Sequence, residues 1–183
     1  MQTQAKRGDL LVATASLTDP NFEKTVVLLC DHTAEGAYGV ILNRPATPSE
    51  EVLEKLPFLQ NNLHEGGPVE RDVLQVVHEY GEELSGAMPI LDGVWLGGDF
   101  EQLQDGLKTG QFDPGCCRFF AGYAGWASEQ LQQEFLTGAW MVIPANAELV
   151  FRTPAEKLWS SAVRQWGKED PIYSNYPEDP SWN

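Results

Sequence analysis

The sequence predicts an α+β domain built on a mixed, largely antiparallel sheet, and three observations carry that prediction. Strand-like apolar runs outnumber helical ones. They come first in pairs and only later alternate with helices, which argues against a regular doubly wound sheet. The 183 residues are 42% hydrophobic, enough for one domain that buries roughly 70% of its unfolded surface.

The elements follow in order. GDLLVATA reads as a first strand and TVVLLCD as a second, the latter a continuous apolar run suited to burial on both faces. YGVILN is the next strand, after a loop containing Gly36. Thr47 then caps a short helix, with Pro48 in its first turn and Glu50 three residues after the cap, and the helix is expected to stop before Pro57. A Gly-Gly-Pro turn leads into a strand over about residues 73–79, followed by a Gly- and Pro-rich loop and the short strand VWLGG. Asp99 caps the next helix, with Gln102 at its third position and Gly110 as its stop. RFFAGYAGWASEQLQQEF reads as a strand that turns at a glycine-punctuated corner and leaves as a helix, with Ser128 as N-cap and Leu131 and Phe135 on one face. AWMVIPA and ELVF read as strands, and a last helix begins with Thr153 as cap, Pro154 first and Glu156 third, and ends at Gly167. Residues 1–167 thus form one domain, and the Pro-rich acidic residues 168–183 read as a C-terminal arm.

Charge narrows the classes of partner. Twelve basic against twenty-seven acidic residues give a net charge of -15, which repels phosphate backbones and anionic lipid. Direct nucleic-acid binding is disfavoured, and no apolar run is long enough for a signal peptide or a membrane span, so a cytoplasmic protein is expected. The three cysteines, Cys30, Cys116 and Cys117, form no CxxC and read as reduced.

Most motifs with a chemical reading also have a structural one. The GYAGW corner lacks the nucleophile of GxSxG, and the chain contains neither GxxxxGK[ST] nor GxGxxG. Its glycines therefore read as backbone geometry, with Tyr123 and Trp126 as the walls of a pocket if they are exposed. Cys30 and His32 share a face if their strand runs straight, but a second ligand pair is absent, so no metal and no cofactor is expected. His64 and His78 flank a run of carboxylates, and each reads first as a structural donor and second as a general base. Arg44, at a strand end beside Asn43, is the best single anchor for an anionic ligand.

Taken together these segments resemble the YqgE/AlgH family of small bacterial proteins. The resemblance rests on the D-P-x-F segment, the T-V-V strand, the N-R-P end at Asn43–Pro45, the G-G-P-V turn, the G-Y-A-G-W corner and the later G-A-W, in one order over nearly the whole chain. Family members often carry Gly-Pro where this chain has Ala127 and Ser128. The resemblance implies a branched sheet that includes a small closed barrel, surrounded by helices. It implies no established reaction, cofactor or catalytic residue, and its name carries a proposed regulatory role in alginate production.

Two functions are therefore expected to compete. The first is a binding or regulatory module for a protein partner or an anionic small molecule, with Asn43, Arg44, Gly67, Pro68, His78, Tyr123 and Trp126 at strand ends and corners as its pocket. The second is an enzyme acting on an anionic small molecule, with Arg44 as anchor and His78 as acid or base.

Overall fold

The computed structural model describes residues 4–169. In chain order these form β1 (Asp9–Ala13), β2 (Val26–Thr33), β3 (Gly36–Ile41), β4 (Pro45–Ala46), α1 (Glu50–Lys55), β5 (Leu63–Glu65), β6 (Val69–His78), β7 (Met88–Leu91), β8 (Val94–Leu96), α2 (Phe100–Thr109), β9 (Cys117–Ala127), α3 (Gln130–Leu136), β10 (Trp140–Pro144) and α4 (Ala155–Glu169). The strands make one sheet in the order β10-β1-β2-β3-β9-β6-β8-β7, antiparallel at every step, with β5 joined in parallel to β9 and β4 joined to β5 as a side branch.

Burial explains why β2 reads as an unbroken apolar run. Val26, Leu28 and Cys30 enter one core with α4, while Val27 and Leu29 enter a second core with Trp126 and Trp140. A third core, built on Leu59, Leu103, Phe112 and Phe119, fills the space on the far side of the β6 and β9 ladder.

The sheet curls but stays open. Gly8, at φ +86°, comes so near β7 that a Cβ there would lie 3.0 Å from the Ile90 carbonyl oxygen. Even so, no ladder joins β7 to β10 among the described residues. The small closed barrel implied by the family resemblance is thereby corrected to an open, branched sheet.

The branch has a definite construction. β3 pairs with the end of β9 from Gly36 to Gly39 and then diverges, and β5 lies along the vacated edge of β9 from Leu63 to Glu65. Gly66 closes the fork: its N–H donates to the Ala121 carbonyl (2.8 Å) and its carbonyl accepts from Ile41 N–H (2.8 Å). The chain next crosses over β9 itself, so that Val69 pairs with Tyr123 on the opposite edge. Only glycine fits this crossing. A Cβ on Gly66 would sit 2.2 Å from the Gly122 carbonyl oxygen, and one on Gly67, at φ +155°, would sit 2.1 Å from the Tyr123 carbonyl carbon.

Several local expectations are revised. The first helix is capped by Ser49, whose Oγ accepts from Val52 N–H, and not by Thr47. Ser128 donates to the Ala34 carbonyl (2.8 Å) in place of capping α3, whose N-cap residue is Glu129 in the left-handed region. Thr153 Oγ1 donates to the Glu148 carbonyl, the last interaction of a π-helical turn over Glu148–Arg152 where a strand was expected. β7 forms in a stretch that reads as loop, because its Pro89 and Leu91 pair with β8 at an edge, where proline is tolerated. Asp99 and Gly110 do bound α2 as expected, the first accepting from Gln102 N–H (2.9 Å) and the second at φ +77°. α4 runs through Gly167 to Glu169, since one glycine weakens a helix by only about 1 kcal/mol. The expected arm lies, from residue 170 on, outside the described residues.

Candidate functional site

The corner at GYAGW is not a corner. β9 is one eleven-residue strand through Ala127, and Gly122, at φ +73°, is an irregularity inside it. Before Gly122 the even positions face the α4 core, as Phe120 does; after it the odd position Tyr123 faces that core, while Ala124 and Trp126 face the other. The reversal coincides with a bulge in the β6–β9 ladder, whose extra residues lie on β6 between Val69 and Leu74. β2 carries a second one: its register with β3 slips between Leu29 and Asp31, so Cys30 and His32 lie on opposite faces. His32 Nδ1 meets the Ala5 carbonyl (2.7 Å), and burial pushes the Cys30 thiol up to about 12, so the expected shared face of Cys30 and His32 is not formed. Among the described residues there is no group of three or more His, Cys, Asp or Glu able to hold a metal.

The two bulges act together. They bring Asp31 opposite Tyr38, and Tyr123 alongside, at one mouth of the curled sheet. There a shallow recess of about 480 Å³ opens, lined by Asp31, Glu35, Tyr38, Val69 and Tyr123 and edged by Gly125 and Trp126. The tyrosine rings meet edge to face at 5.5 Å, and Gly125 leaves room for the Tyr123 ring, which a Cβ there would approach to 3.3 Å. The Tyr38 hydroxyl donates to Gln75 Oε1 (2.9 Å), and burial pushes its ionisation well above the usual range. Asp31 is already paired with Arg7 at 3.3 Å, so the recess is aromatic and its charge outside that ion pair comes from the exposed Glu35.

With this geometry described, its relatives can be placed. The AlgH-like family model matches residues 10–170. The chain belongs to the AlgH-like family. A UPF0301 protein of Chlorobium limicola is 42% identical over 177 residues, covering 96% of this chain and 95% of its own. One from Cytophaga hutchinsonii is 36% identical over 97% of this chain and 98% of its own. The solution structure of the AlgH protein from Pseudomonas aeruginosa matches with TM-score 0.70 at 30% identity, over 88% of this chain and 92% of that one. A crystal structure from Corynebacterium diphtheriae matches with TM-score 0.74 at 23% identity, over 94% and 93%, and shows a shared fold.

Within this AlgH-like fold the seven residues expected to form one pocket are distributed as follows. Tyr123 and Trp126 line the recess, although the Trp126 ring itself is buried and its Nε1 donates to Glu134 (2.9 Å). Gly67 and Pro68 belong to the crossing beside it. Asn43 and Arg44 lie elsewhere: the Asn43 amide clamps Val26 N–H and the Lys24 carbonyl (both 2.8 Å), and Arg44 donates to the Pro20 carbonyl (3.2 Å). His78 is fully buried; its Nε2 meets the Gly97 carbonyl (2.9 Å), its Nδ1 accepts from Tyr80 N–H (3.2 Å), and burial lowers its pKa. Neither ring nitrogen is left for proton transfer.

Three further polar residues, Glu134, Arg118 and His64, join elements by side-chain contacts. Glu134 Oε2 accepts from both Trp126 (2.9 Å) and Trp140 (2.7 Å), joining β9, α3 and β10. The signal for it was present: two indoles that need acceptors, with one glutamate on the helix between them. The half-buried Arg118 donates to the Phe151 carbonyl (2.9 Å) and approaches His64 Nε2 at 3.5 Å. His64 is buried with Nδ1 unpartnered among the described residues, and burial together with the Arg118 charge pushes its pKa down to about 4.

Proposed function

We propose that this chain is a cytoplasmic binding or regulatory module whose site is the recess at Tyr38 and Tyr123, and that the group it binds is cationic, such as a lysine or arginine side chain of a partner protein. The observation that supports this is the placement of two tyrosine rings beside Asp31 and Glu35 by two separate bulges. Aromatic faces attract cations, and carboxylates add to that attraction in a chain of net charge -15. An anionic ligand, expected on the strength of Arg44, would have to bind away from this recess. The enzymatic alternative needs a free nitrogen on His78, and both are engaged in hydrogen bonds.

The test is a titration of the isotopically labelled protein with N-acetyl-arginine amide and, separately, with inorganic phosphate, read by amide chemical shifts. The arginine derivative is expected to move the signals of Tyr38, Tyr123 and Gly125, and Tyr123→Ala to weaken that response at least tenfold. Equal shifts with phosphate, or shifts unaffected by Tyr123→Ala, would overturn the reading.

A further inference from the structure

A second opening lies where β8 leaves β6. Gly97 N–H donates to the Val76 carbonyl (2.8 Å), the last backbone bond between the two chains, and Gly97 and Gly98, at φ +69° and +110°, then turn the chain away into α2. Because Val76 directs its polar backbone groups toward β8, strand alternation directs those of Leu74 the same way, past the point where β8 ends. A groove of about 540 Å³ occupies the vacated place, walled by Leu56, Leu74, Val76, Leu96 and Phe100. Phe100 is 38% exposed, though it is a large apolar residue at the start of a helix. Neither proline nor lysine protects residues 74–76, the usual guards of an open strand edge.

The charge around the groove indicates what could fill it. Glu54, Asp72, Asp99 and Glu101 lie within two residues of its lining, against one cation, Lys55, which is paired with Glu51 at 3.0 Å. A second copy of a chain with net charge -15 would be repelled here, and a basic partner attracted.

We infer that the groove accepts an extended segment of a partner protein, with alternate apolar residues and basic flanks, which continues the line of β8 antiparallel to β6. Backbone bonds to Leu74 supply the pairing, Phe100 and Leu56 take the apolar side chains, and the carboxylates select the flanks. This site is separate from the tyrosine recess, so the failure of either leaves the other standing.

The test uses the full chain and two synthetic peptides, Lys-Lys-Val-Thr-Val-Thr-Val-Lys-Lys and the same sequence with glutamate for lysine. The basic peptide is expected to shift the amide signals of Leu74, Gly97 and Gly98, to bind at least tenfold more tightly than the acidic one, and to slow hydrogen exchange at the Leu74 amide at least tenfold. Phe100→Ala, at an exposed position, is expected to weaken binding at least fivefold while the free protein's spectrum stays folded. Unchanged exchange at Leu74, equal binding of the two peptides, or Leu74 protection that depends on protein concentration without peptide would each overturn the inference.

Discussion

The two ends of β9 are both aromatic, yet they are built to opposite purposes. At its start, His78 stacks on Tyr80 and Tyr80 on Phe112, with ring centroids 5.3 and 4.3 Å apart, and the Tyr80 hydroxyl donates to the Asp113 carbonyl. Every polar atom of that stack has a partner within the protein. At its far end, Tyr38 and Tyr123 meet edge to face with their surroundings open and negative. The difference shows that a buried histidine near carboxylates is a weak guide to chemistry, because satisfied hydrogen bonds are what burial requires.

The seam that divides the two ends carries the largest expected effect. Gly67→Ala would place a methyl group 2.1 Å from β9 backbone, so a loss of about 4 kcal/mol or more is expected, read as failure to give a cooperative urea transition. A folded, stable variant would mean that the crossing is looser than its geometry indicates. Next comes the closed end: His78→Ala strands Tyr80 N–H and the Gly97 carbonyl and opens a cavity, for an expected loss of about 3 kcal/mol in chemical denaturation.

A pH dependence of similar size follows from His64. Its pKa is about 4 when folded, against 6.5 unfolded, so below pH 6.5 the unfolded chain binds the extra proton. The contribution is complete above pH 6.5 and is lost as pH falls toward 4, up to about 3 kcal/mol. Urea midpoints from pH 7.5 to 4 should therefore fall more steeply for the natural chain than for His64→Gln, and parallel curves would refute this. The smallest stability effect belongs to the open end. Tyr123→Ala should cost less than about 1.5 kcal/mol while weakening the response to arginine at least tenfold, and a larger loss would class Tyr123 with the closed end.

Much of the architecture could be read from residue order. The apolar run of β2 announced burial on both faces, and Asp99 with Gly110 announced the limits of α2. What could not be read was parity. Alternation assigns faces only while a strand is regular, and bulges in the β2–β3 and β6–β9 ladders reverse it at Asp31 and at Gly122. The recess exists because of those reversals, so a reading by alternation grouped Cys30 with His32 and left Asp31 and Tyr38 out. Tyr123 and Trp126 were read as corner aromatics, although both lie within β9. Arg44 and His78 were selected for their chemistry, and their hydrogen-bond partners, Pro20 and Gly97, are distant in sequence and leave no local trace.

The crossing of Gly66 and Gly67 over β9 also has a consequence in time. The strand they cross begins at Cys117, fifty residues later (117 minus 67), and β1 finds its outer neighbour only at Trp140. At translation rates of roughly 5–20 residues per second, the first third of the chain waits about 3–10 seconds on the ribosome before the strand it straddles has been reached. During that interval β3, β5 and β6 have no common partner. A nascent chain stalled while β9 is still inside the ribosome should therefore be a better substrate for chaperones and proteases than one stalled after β10 has emerged.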